Sequence, residues 1–322
     1  MIAPPDDRDA PRTIVIALGG NALQPPGESG DIHEQFAHTR ESLGAVVALA
    51  AEGWRIALVH GNGPQIGDEL LRNELARARR PPLPLGVLVA GTAGWIGYMI
   101  QQSLRNALDH AGVHRPVVTV ITQVVVDPDD VATREPRKPI GHTMTLEQAR
   151  PLAAELGWDI APTEDGWRRI VPSPRPVAIV EGDQIARLMN EGAIVIACGG
   201  GGTPVYRDAA LGLEGVDGVI DKDRAACVLA HELGAEVLLI LTNVDAAYRG
   251  FGTPAAARIE QLGADAAQRL VDAGEFGRGS MGPKIEAAIA FVRAGGRRAV
   301  IARLDRGVEA VRGETGTTIA GE

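Results

Sequence analysis

Short apolar runs that suit β-strands alternate with helical stretches along most of the chain, and this alternation strongly limits the possible folds. The clearest strands are Thr13–Leu18, Arg55–Val59, Val117–Val125, Ala193–Ala197, Val237–Leu241 and Ala299–Ala302. Helical stretches follow at about 35–52, 64–79, 93–111, 145–156, 183–191, 223–233, 264–273 and 283–294. Strands that are apolar along their whole length are typical of strands covered on both faces. The pattern predicts a parallel sheet in an α/β fold with right-handed crossovers.

One interval, Asp127 to Pro176, breaks this alternation. It is rich in proline, charge and tryptophan, and Trp167–Val171 could be a strand in a small hairpin. We interpret the interval as an insertion that projects from the sheet and could act as a lid, with a long ordered loop of no special role as the alternative. The predicted organisation is a disordered leader (1–12) and one domain (13–322), with an N-terminal lobe (about 13–192), the insertion (about 127–176) and a C-terminal lobe (about 193–322).

Three predicted strands run directly into glycine-rich turns. These turns are Gly19-Gly20-Asn21, His60-Gly61-Asn62-Gly63-Pro64 and Gly199-Gly200-Gly201-Gly202-Thr203-Pro204. In an open parallel sheet such turns share the ligand-binding edge, where backbone N–H groups and helix N-termini can face an anion. The turns fit neither the dinucleotide-binding Gly-x-Gly-x-x-Gly pattern nor the Gly-x-x-x-x-Gly-Lys-Ser/Thr phosphate loop. Phosphate binding would therefore need a different arrangement, with lysines supplied from elsewhere.

Lysine is scarce: of the 32 Lys and Arg residues, only Lys138, Lys222 and Lys284 are lysines. A compact ammonium fits among phosphate oxygens where a planar guanidinium does not, although the three could also be a remnant of composition. Lys138 lies in the insertion, whereas Lys222 and Lys284 lie at predicted helix starts, where the helix dipole disfavours a cation unless an anion faces it. We call these three residues the lysine clamp. They suit phosphoryl transfer, which needs positioning and charge neutralisation, and an acid among them could order them.

The net charge, the apolar segments and the cysteine and histidine positions exclude several kinds of partner and site. The net charge of −9 argues against nucleic acid or an anionic membrane as the main partner. The N-terminus lacks the apolar segment of a signal peptide, and no apolar run approaches membrane-spanning length, so we expect a soluble cytoplasmic protein. Cys198 and Cys227 form neither a disulfide framework nor a metal motif, and no histidine pair has metal-ligand spacing. His60 could contact a ligand or make a structural hydrogen bond, and His142 follows the insertion lysine.

A series of motifs, in order from about Ile14 to Ile319, resembles bacterial carbamate kinases of the amino acid kinase superfamily. The motifs are Ala17–Leu23, His60–Gln65, Lys138–Gly141, Val171–Pro174, Gly199–Gly202, Val219–Asp223, Leu241–Asp245 and Gly279–Lys284. The Lys-Pro-Ile-Gly and Ile-Asp-Lys-Asp elements are the specific ones, because the glycine turns are shared more widely.

The resemblance implies an open, mainly parallel sheet in an α/β/α sandwich with a small protruding subdomain, and a homodimer. It implies reversible phosphoryl transfer between ATP and carbamate, often run towards ATP from carbamoyl phosphate, with Mg²⁺ held mainly by the nucleotide phosphates and by no protein ligand that we can name. It implies catalytic roles for Lys138, Lys222, Asp223 and Lys284, with Asp223 organising the lysines. The implied acceptor residues are Gly19, Gly20, Asn21, Gly61 and Asn62. The implied nucleotide-binding residues are Gly200, Gly201, Thr242, Asn243, Val244, Asp245, Tyr248 and Met281.

Two segments differ from the family pattern. Thr92-Ala93-Gly94 stands where Ser-Gln-Gly is expected, and His142-Thr143-Met144 stands where a Pro-aromatic stretch is expected. Both fall near the implied acceptor side or lid. The alternatives are therefore a kinase of the same superfamily with a different carboxylate or phosphate acceptor, and a non-catalytic nucleotide or metabolite sensor on the same fold.

Overall fold

The computed structural model describes residues 12–25, 30–163, 165–277 and 281–321, so the predicted leader, apart from Arg12, lies outside the described residues. The strands are β1 (Thr13–Leu18), β2 (Arg55–His60), β3 (Val117–Thr119), β4 (Gln123–Val126), β5 (Lys138–Met144), β6 (Ile160–Thr163), β7 (Gly166–Val171), β8 (Pro176–Ile179), β9 (Ile194–Ile196), β10 (Thr203–Asp208), β11 (Gly212–Gly215), β12 (Val237–Thr242), β13 (Ala247–Arg249), β14 (Ala257–Ile259), β15 (Gln261–Gly263), β16 (Arg298–Arg303) and β17 (Thr317–Ala320). The helices are α1 (Ile32–Ser42), α2 (Gly44–Ala51), α3 (Gly63–Leu75), α4 (Leu85–His110), α5 (Leu146–Leu156), α6 (Gly182–Asn190), α7 (Lys222–Glu232), α8 (Ala264–Asp272), α9 (Met281–Arg293) and α10 (Gly307–Val311).

The main sheet has eight strands in the order β15-β17-β16-β12-β1-β2-β9-β3. Neighbouring strands run parallel except β16 and β17, which are antiparallel. The predicted α/β fold with an open, mainly parallel sheet is confirmed. The carboxyl ends of β1, β2, β9 and β12 lie at one edge, which brings the glycine-rich turns together there.

Both faces of the main sheet are buried, as the continuous apolar runs predict. Along β1, Val15 and Ala17 join one apolar core while Ile14, Ile16 and Leu18 join the other. Helices α6, α7, α8 and α9 supply the first core, and α2, α4 and α10 supply the second. Because successive side chains of a strand point to opposite faces, one apolar run fills two cores.

The interval that breaks the alternation holds a separate antiparallel sheet of order β5-β7-β6, which we call the small sheet. Strand β7 contains the predicted strand Trp167–Val171. An apolar cluster joins the small sheet to α3, with Ile140 and Val171 against Ile66 and Leu70. The backbones also approach closely, because a Cβ on Gly67 would lie 2.2 Å from Gly141 Cα. Only glycine at position 67 permits this approach.

Polar contacts add to this attachment. The Glu74 carboxylate of α3 accepts hydrogen bonds from Arg169 (2.8 Å) and from the Trp158 indole N–H (2.7 Å). His142 Nε2 lies 3.1 Å from Asp68 Oδ1 of the same helix. The small sheet is therefore held on α3 by packing and by hydrogen bonds, and it presents Lys138 at the start of β5.

Some predicted bounds were wrong. Val117–Val125 is not one strand: β3 pairs with β9 in the main sheet, whereas β4 pairs with β8 and β10 in a second sheet of order β11-β10-β4-β8. The chain changes sheets near Thr122, whose hydroxyl and carbonyl accept the N–H groups of Cys198 (2.9 Å) and Thr203 (2.8 Å). A run of β-branched residues carries no sign of that change of partner.

Two predicted helices also differ. The helix predicted at 93–111 begins at Leu85, since buried Leu88 and Val89 hold a turn that Gly86 and Gly91 weaken by propensity. The helix predicted at 35–52 is interrupted at Leu43 and forms α1 and α2.

Candidate active site

The turns after β1 and β2 lie against each other beside the lysine clamp. The Gly61 N–H donates to the Leu18 carbonyl (3.1 Å), and the Gly19 N–H donates to the Leu241 carbonyl (3.2 Å). A Cβ on Gly61 would lie 3.1 Å from both Gly20 N and Lys222 Cδ. Glycine at position 61 therefore lets the backbone, Gly20 and the Lys222 stem approach one another closely. The Asn21 backbone belongs to the short 3₁₀ turn Gly20–Ala22, and its side chain lies outside the described structure.

Asn62 is buried, and its amide donates to Thr92 Oγ1 (2.9 Å). The Thr92 hydroxyl in turn donates to the Val89 carbonyl (2.8 Å). The threonine that departs from the family pattern thus supplies the hydroxyl that holds Asn62. Gly200, at φ +67°, lies against the same amide, because a Cβ there would come within 2.3 Å of Asn62 Nδ2. The turn after β9 therefore meets the turn after β2.

The His60 side chain contacts the backbone of the turn after β2 and does not face the open site. Its ring is fully buried, and Nδ1 lies 3.0 Å from the Gly61 carbonyl oxygen. Burial lowers the pKa of His60 to about 4, so the ring is neutral near pH 7 and Nδ1 donates to that carbonyl. Nε2 has no hydrogen-bond partner among the described residues. Of the two interpretations of His60, the geometry favours the structural hydrogen bond.

The lysine clamp comes together around two aspartates at the start of α7. Asp223 is only 3% exposed and accepts from Lys222 on Oδ1 and from Lys284 on Oδ2 (3.1 Å). Asp221 accepts from Lys138 on Oδ2 at 2.9 Å, and its side chain is 19% exposed. The lysines come from β5, α7 and α9, so elements far apart in sequence build one site.

Asp221 also starts the helix. As the N-cap of α7, its Oδ1 accepts from the backbone N–H groups of Asp223 (3.0 Å) and Arg224 (3.3 Å). Asp221 is not among the predicted site residues, because an aspartate at a helix start is ordinarily a cap. Yet a cap can use a single carboxylate oxygen, and here the second oxygen takes Lys138. One sequence feature could have placed Asp221 in the site: it directly precedes Lys222 in the chain.

The lysines and aspartates of this cluster shift one another's pKa values. Burial would raise the pKa of Asp221, but the ammoniums of Lys138 and Lys222 outweigh it and hold that pKa well below its usual range. Burial likewise opposes ionisation of Asp223, and Lys222 and Lys284 again lower its pKa. Burial lowers the pKa of Lys222, whereas Asp223 and Asp221 overcome burial and raise that of Lys284. Both carboxylates are therefore ionised near pH 7.

A pocket of about 90 Å³ borders the clamp at Lys284. Of the predicted nucleotide residues, Thr242, Asn243, Val244, Tyr248 and Met281 line it, together with Lys284. Asp245 lies beside it and accepts from the Tyr248 hydroxyl (3.0 Å). Sequence reasoning missed Phe251 and Phe276, which add apolar walls; Gly200 and Gly201 do not line this pocket. Residues 278–280 of the predicted nucleotide loop lie outside the described residues.

A second cavity, of about 390 Å³, adjoins the clamp on the side of the small sheet. Lys138 and Asp221 line it, together with Arg137, Arg175 and Arg224. Lys222, Asp223 and Lys284 do not line it. The Lys138–Asp221 pair therefore borders this larger cavity, whereas Lys284 borders the first pocket and Asp223 is buried between its two lysines.

The described part of the chain holds neither a cluster of potential metal ligands nor a helix able to span a membrane. Within those residues, no three His, Cys, Asp or Glu side chains come together as a potential metal site. None of the described helices is both long and apolar enough to cross a bilayer.

Comparison with known proteins gives matches over nearly the whole length. A model described as the amino acid kinase family matches residues 12–303. Carbamate kinase of Pyrococcus horikoshii is 44% identical over 314 residues, which cover 96% of this chain and 99% of that protein. The structure of carbamate kinase from Giardia lamblia bound to citric acid superimposes with a TM-score of 0.92 at 37% identity, covering 97% of this chain and 99% of that one. The Giardia lamblia enzyme bound to AMP-PNP gives 0.87 at 38% identity, with the same coverage.

Proposed function

The chain belongs to the amino acid kinase family, and we propose that it acts as a carbamate kinase, transferring a phosphoryl group reversibly between ATP and carbamate. One observation carries the proposal. Three lysines, the only ones in the chain, meet around Asp221 and Asp223, with glycine turns on one side and the pocket of Thr242 and Tyr248 on the other. Phosphoryl transfer requires groups that position the substrates and neutralise negative charge, and this arrangement supplies both.

The proposed placement of substrates follows from the two sides of the clamp. The nucleotide base and sugar occupy the pocket lined by Val244, Tyr248 and Met281, and the phosphates pass Lys284. The small acceptor lies on the backbone of Gly20 and Gly61, next to the Lys222 stem. The AMP-PNP complex of the Giardia lamblia relative supports a nucleotide on this fold.

The charge of the clamp suits a transferring phosphoryl group. Three ammoniums against two carboxylates leave one net positive charge, so the lysines can shift from the aspartates to phosphate oxygens as these enter. The aspartates meanwhile keep the ammoniums within reach, which limits reorganisation in the transition state. Carbamate is already an anionic oxygen nucleophile, so the scheme needs no general base.

Mg²⁺ would accompany the nucleotide. The carboxylates that contact the clamp lysines are those of Asp221 and Asp223, and both already accept hydrogen bonds from these lysines. We therefore propose that the nucleotide phosphates hold the ion, a mode that Mg²⁺ commonly uses. When bound, it would neutralise phosphate charge.

The test is formation of ATP from carbamoyl phosphate and ADP with Mg²⁺. Purified protein should make ATP at a steady rate that depends on both substrates. Folded protein that binds nucleotide but makes no ATP would contradict the proposal. A screen of small carboxylates and phosphates in an ADP-release assay then tests the alternative, a related kinase with another acceptor. Binding of nucleotide with no turnover on any acceptor would instead favour a sensor.

We also propose that the chain forms the homodimer implied by its resemblance to carbamate kinases. Exposed apolar side chains occur on and beside α4, namely Val87, Tyr98 and Ile121. Such side chains are candidates for coverage by a second copy. Sedimentation equilibrium should give twice the chain mass, and a monomer at micromolar concentration would contradict this proposal.

A further inference from the structure

The two oxygens of Asp221 have different partners. Oδ1 accepts the backbone N–H groups of Asp223 and Arg224 and so starts α7, while Oδ2 accepts from the Lys138 ammonium at 2.9 Å. A cap needs only the first oxygen. The second oxygen ties a residue of the small sheet to the helix that carries Lys222 and Asp223.

The position of Lys138 depends on this contact. Asp221 is the only acceptor that the described residues offer to its ammonium. The same side chain borders the 390 Å³ cavity, so it has room to move away if the contact is lost. Lys222 has no such freedom, because its stem lies against Gly61 and its ammonium against the buried Asp223.

We propose that Asp221 is a positioning residue for phosphoryl transfer, and that it acts through Lys138. Its carboxylate fixes the ammonium of the small sheet relative to the start of α7, so that all three lysines face one transferring group. This inference rests on the proposed function for its kinetic consequences, but the placement of Lys138 can be measured without turnover.

Asp221→Asn separates the two roles of the side chain. Asparagine is as good an N-cap as aspartate, so α7 and the stability of the fold should be kept. Its amide offers no second acceptor to an ammonium. We expect kcat for ATP formation to fall roughly 10-fold to 100-fold, as displacement of a catalytic group by about 1 Å can produce. KM for ADP should change by less than about twofold, because the nucleotide pocket lies on the other side of Lys284.

Asp208→Asn is the matched control. Asp208 Oδ1 accepts the N–H groups of residues two and three positions on, Ala210 (2.8 Å) and Leu211 (2.9 Å), as Asp221 Oδ1 does. It is the last residue of β10, just before the turn to β11, outside the site. Its replacement should change kcat by less than about twofold.

A double-mutant cycle decides whether Asp221 acts through Lys138. In the Lys138→Ala background, Asp221→Asn should lower kcat by less than about twofold further, since its partner is already gone. A second loss as large as in the wild type would overturn the inference and assign Asp221 a direct effect on Lys222 or on α7. An unchanged kcat in the single variant would overturn it as well.

The scarcity of lysine provides a second readout. Protein labelled at lysine Cε gives three NMR signals, one per clamp lysine, and Lys138→Arg assigns one of them. Asp221→Asn should shift the Lys138 signal well beyond the other two, and Asp208→Asn should shift none. A Lys138 signal that stays in place would overturn the inference. If the wild type makes no ATP, the proposed function fails, and these signals decide the placement of Lys138 by themselves.

Discussion

The two halves of the lysine clamp differ in how they are held. Lys222 and Lys284 share Asp223 inside the main body, with side-chain exposures of 11% and 14% around a carboxylate that is 3% exposed. Lys138 comes from the small sheet, is 22% exposed, and has a single contact with Asp221 beside an open cavity. One half surrounds a buried carboxylate and is enclosed except where Lys284 borders the 90 Å³ pocket, and the other half is attached at one point.

This difference in packing indicates that the two halves contribute to the site in different ways. The enclosed half is preorganised, because the main sheet and α7 fix Asp223 and both ammoniums before any substrate arrives. The attached half depends on the packing of the small sheet against α3 and on the one contact between Lys138 and Asp221. Substitutions in the enclosed half should therefore be tolerated least, and the following experiments test that ranking.

The largest effect is expected for arginine at the enclosed lysines. Lys222→Arg must fit a planar guanidinium where the stem already lies against Gly61 and the ammonium against Asp223. We expect kcat to fall by roughly 10² or more, and Lys284→Arg to behave alike. Steady-state ATP formation measures this, with circular dichroism as the control for folding. Near-normal rates in both variants would show that the site does not distinguish an ammonium from a guanidinium.

A smaller effect is expected from the backbone that supports Lys222. In Gly61→Ala the new Cβ would lie 3.1 Å from Lys222 Cδ and from Gly20 N, so one of them must shift. We expect a loss of about tenfold in kcat, since the displacement is a few tenths of an ångström. Gly63→Ala is the control in the same turn, because nothing lies within 4 Å of its Cβ. Equal losses in the two variants would contradict the contact.

A smaller loss still is expected for Lys138→Arg. The 390 Å³ cavity leaves room for a guanidinium, which can still donate to Asp221. We expect kcat to fall less than about tenfold, well short of Lys222→Arg. The same assay on both proteins gives the ratio directly. A loss equal to that of Lys222→Arg would remove the distinction between the two halves.

The smallest effect that we expect is a pH dependence of folding stability caused by His60 in the main body. The folded pKa of His60 is about 4, below its ordinary value of 6.5, so as pH falls the unfolded chain binds this proton first. The stability that neutral His60 contributes at pH 7 and above is therefore lost between pH 6.5 and about 4, roughly 2 kcal/mol by pH 5. Asp221 and Asp223, whose pKa values are lowered, affect stability only below their ordinary value of 3.8.

Urea unfolding between pH 8 and 5 measures this loss, and His60→Asn provides the comparison. The variant should show a flatter dependence of unfolding free energy on pH, whatever its stability at pH 8. An equally steep dependence would mean that another group controls stability in this range.

The sequence allowed the main sheet to be predicted because its strands are apolar runs that both faces bury, as in β1, β2 and β12. Strands outside it carry weaker patterns. Strand β5 contains Lys138, Pro139 and Gly141, and its position depends on packing against α3 rather than on β-propensity. The break in Val117–Val125 depends on which strand lies alongside, a tertiary property that the run itself does not carry.

The same limit applies to the site. Three rare lysines, two of them at helix starts, indicated an anion site, and the structure brings all three together. What the sequence did not show was which acid serves which lysine. Asp221 looked like an ordinary cap, and only the fold reveals that Lys138, 83 residues away, takes its second oxygen.

The central claim is that the enclosed half works as one unit held by Asp223. Asp223→Asn tests it most directly, because it puts an NH₂ group where one of the two lysines now finds a carboxylate oxygen, and it removes the negative charge that Lys222 and Lys284 share. The measurement is kcat for ATP formation from carbamoyl phosphate alongside the Kd of a non-hydrolysable ATP analogue. We expect kcat to fall by roughly 10² or more while the Kd changes by less than about fivefold. A kcat within a few-fold of the wild type would contradict the claim.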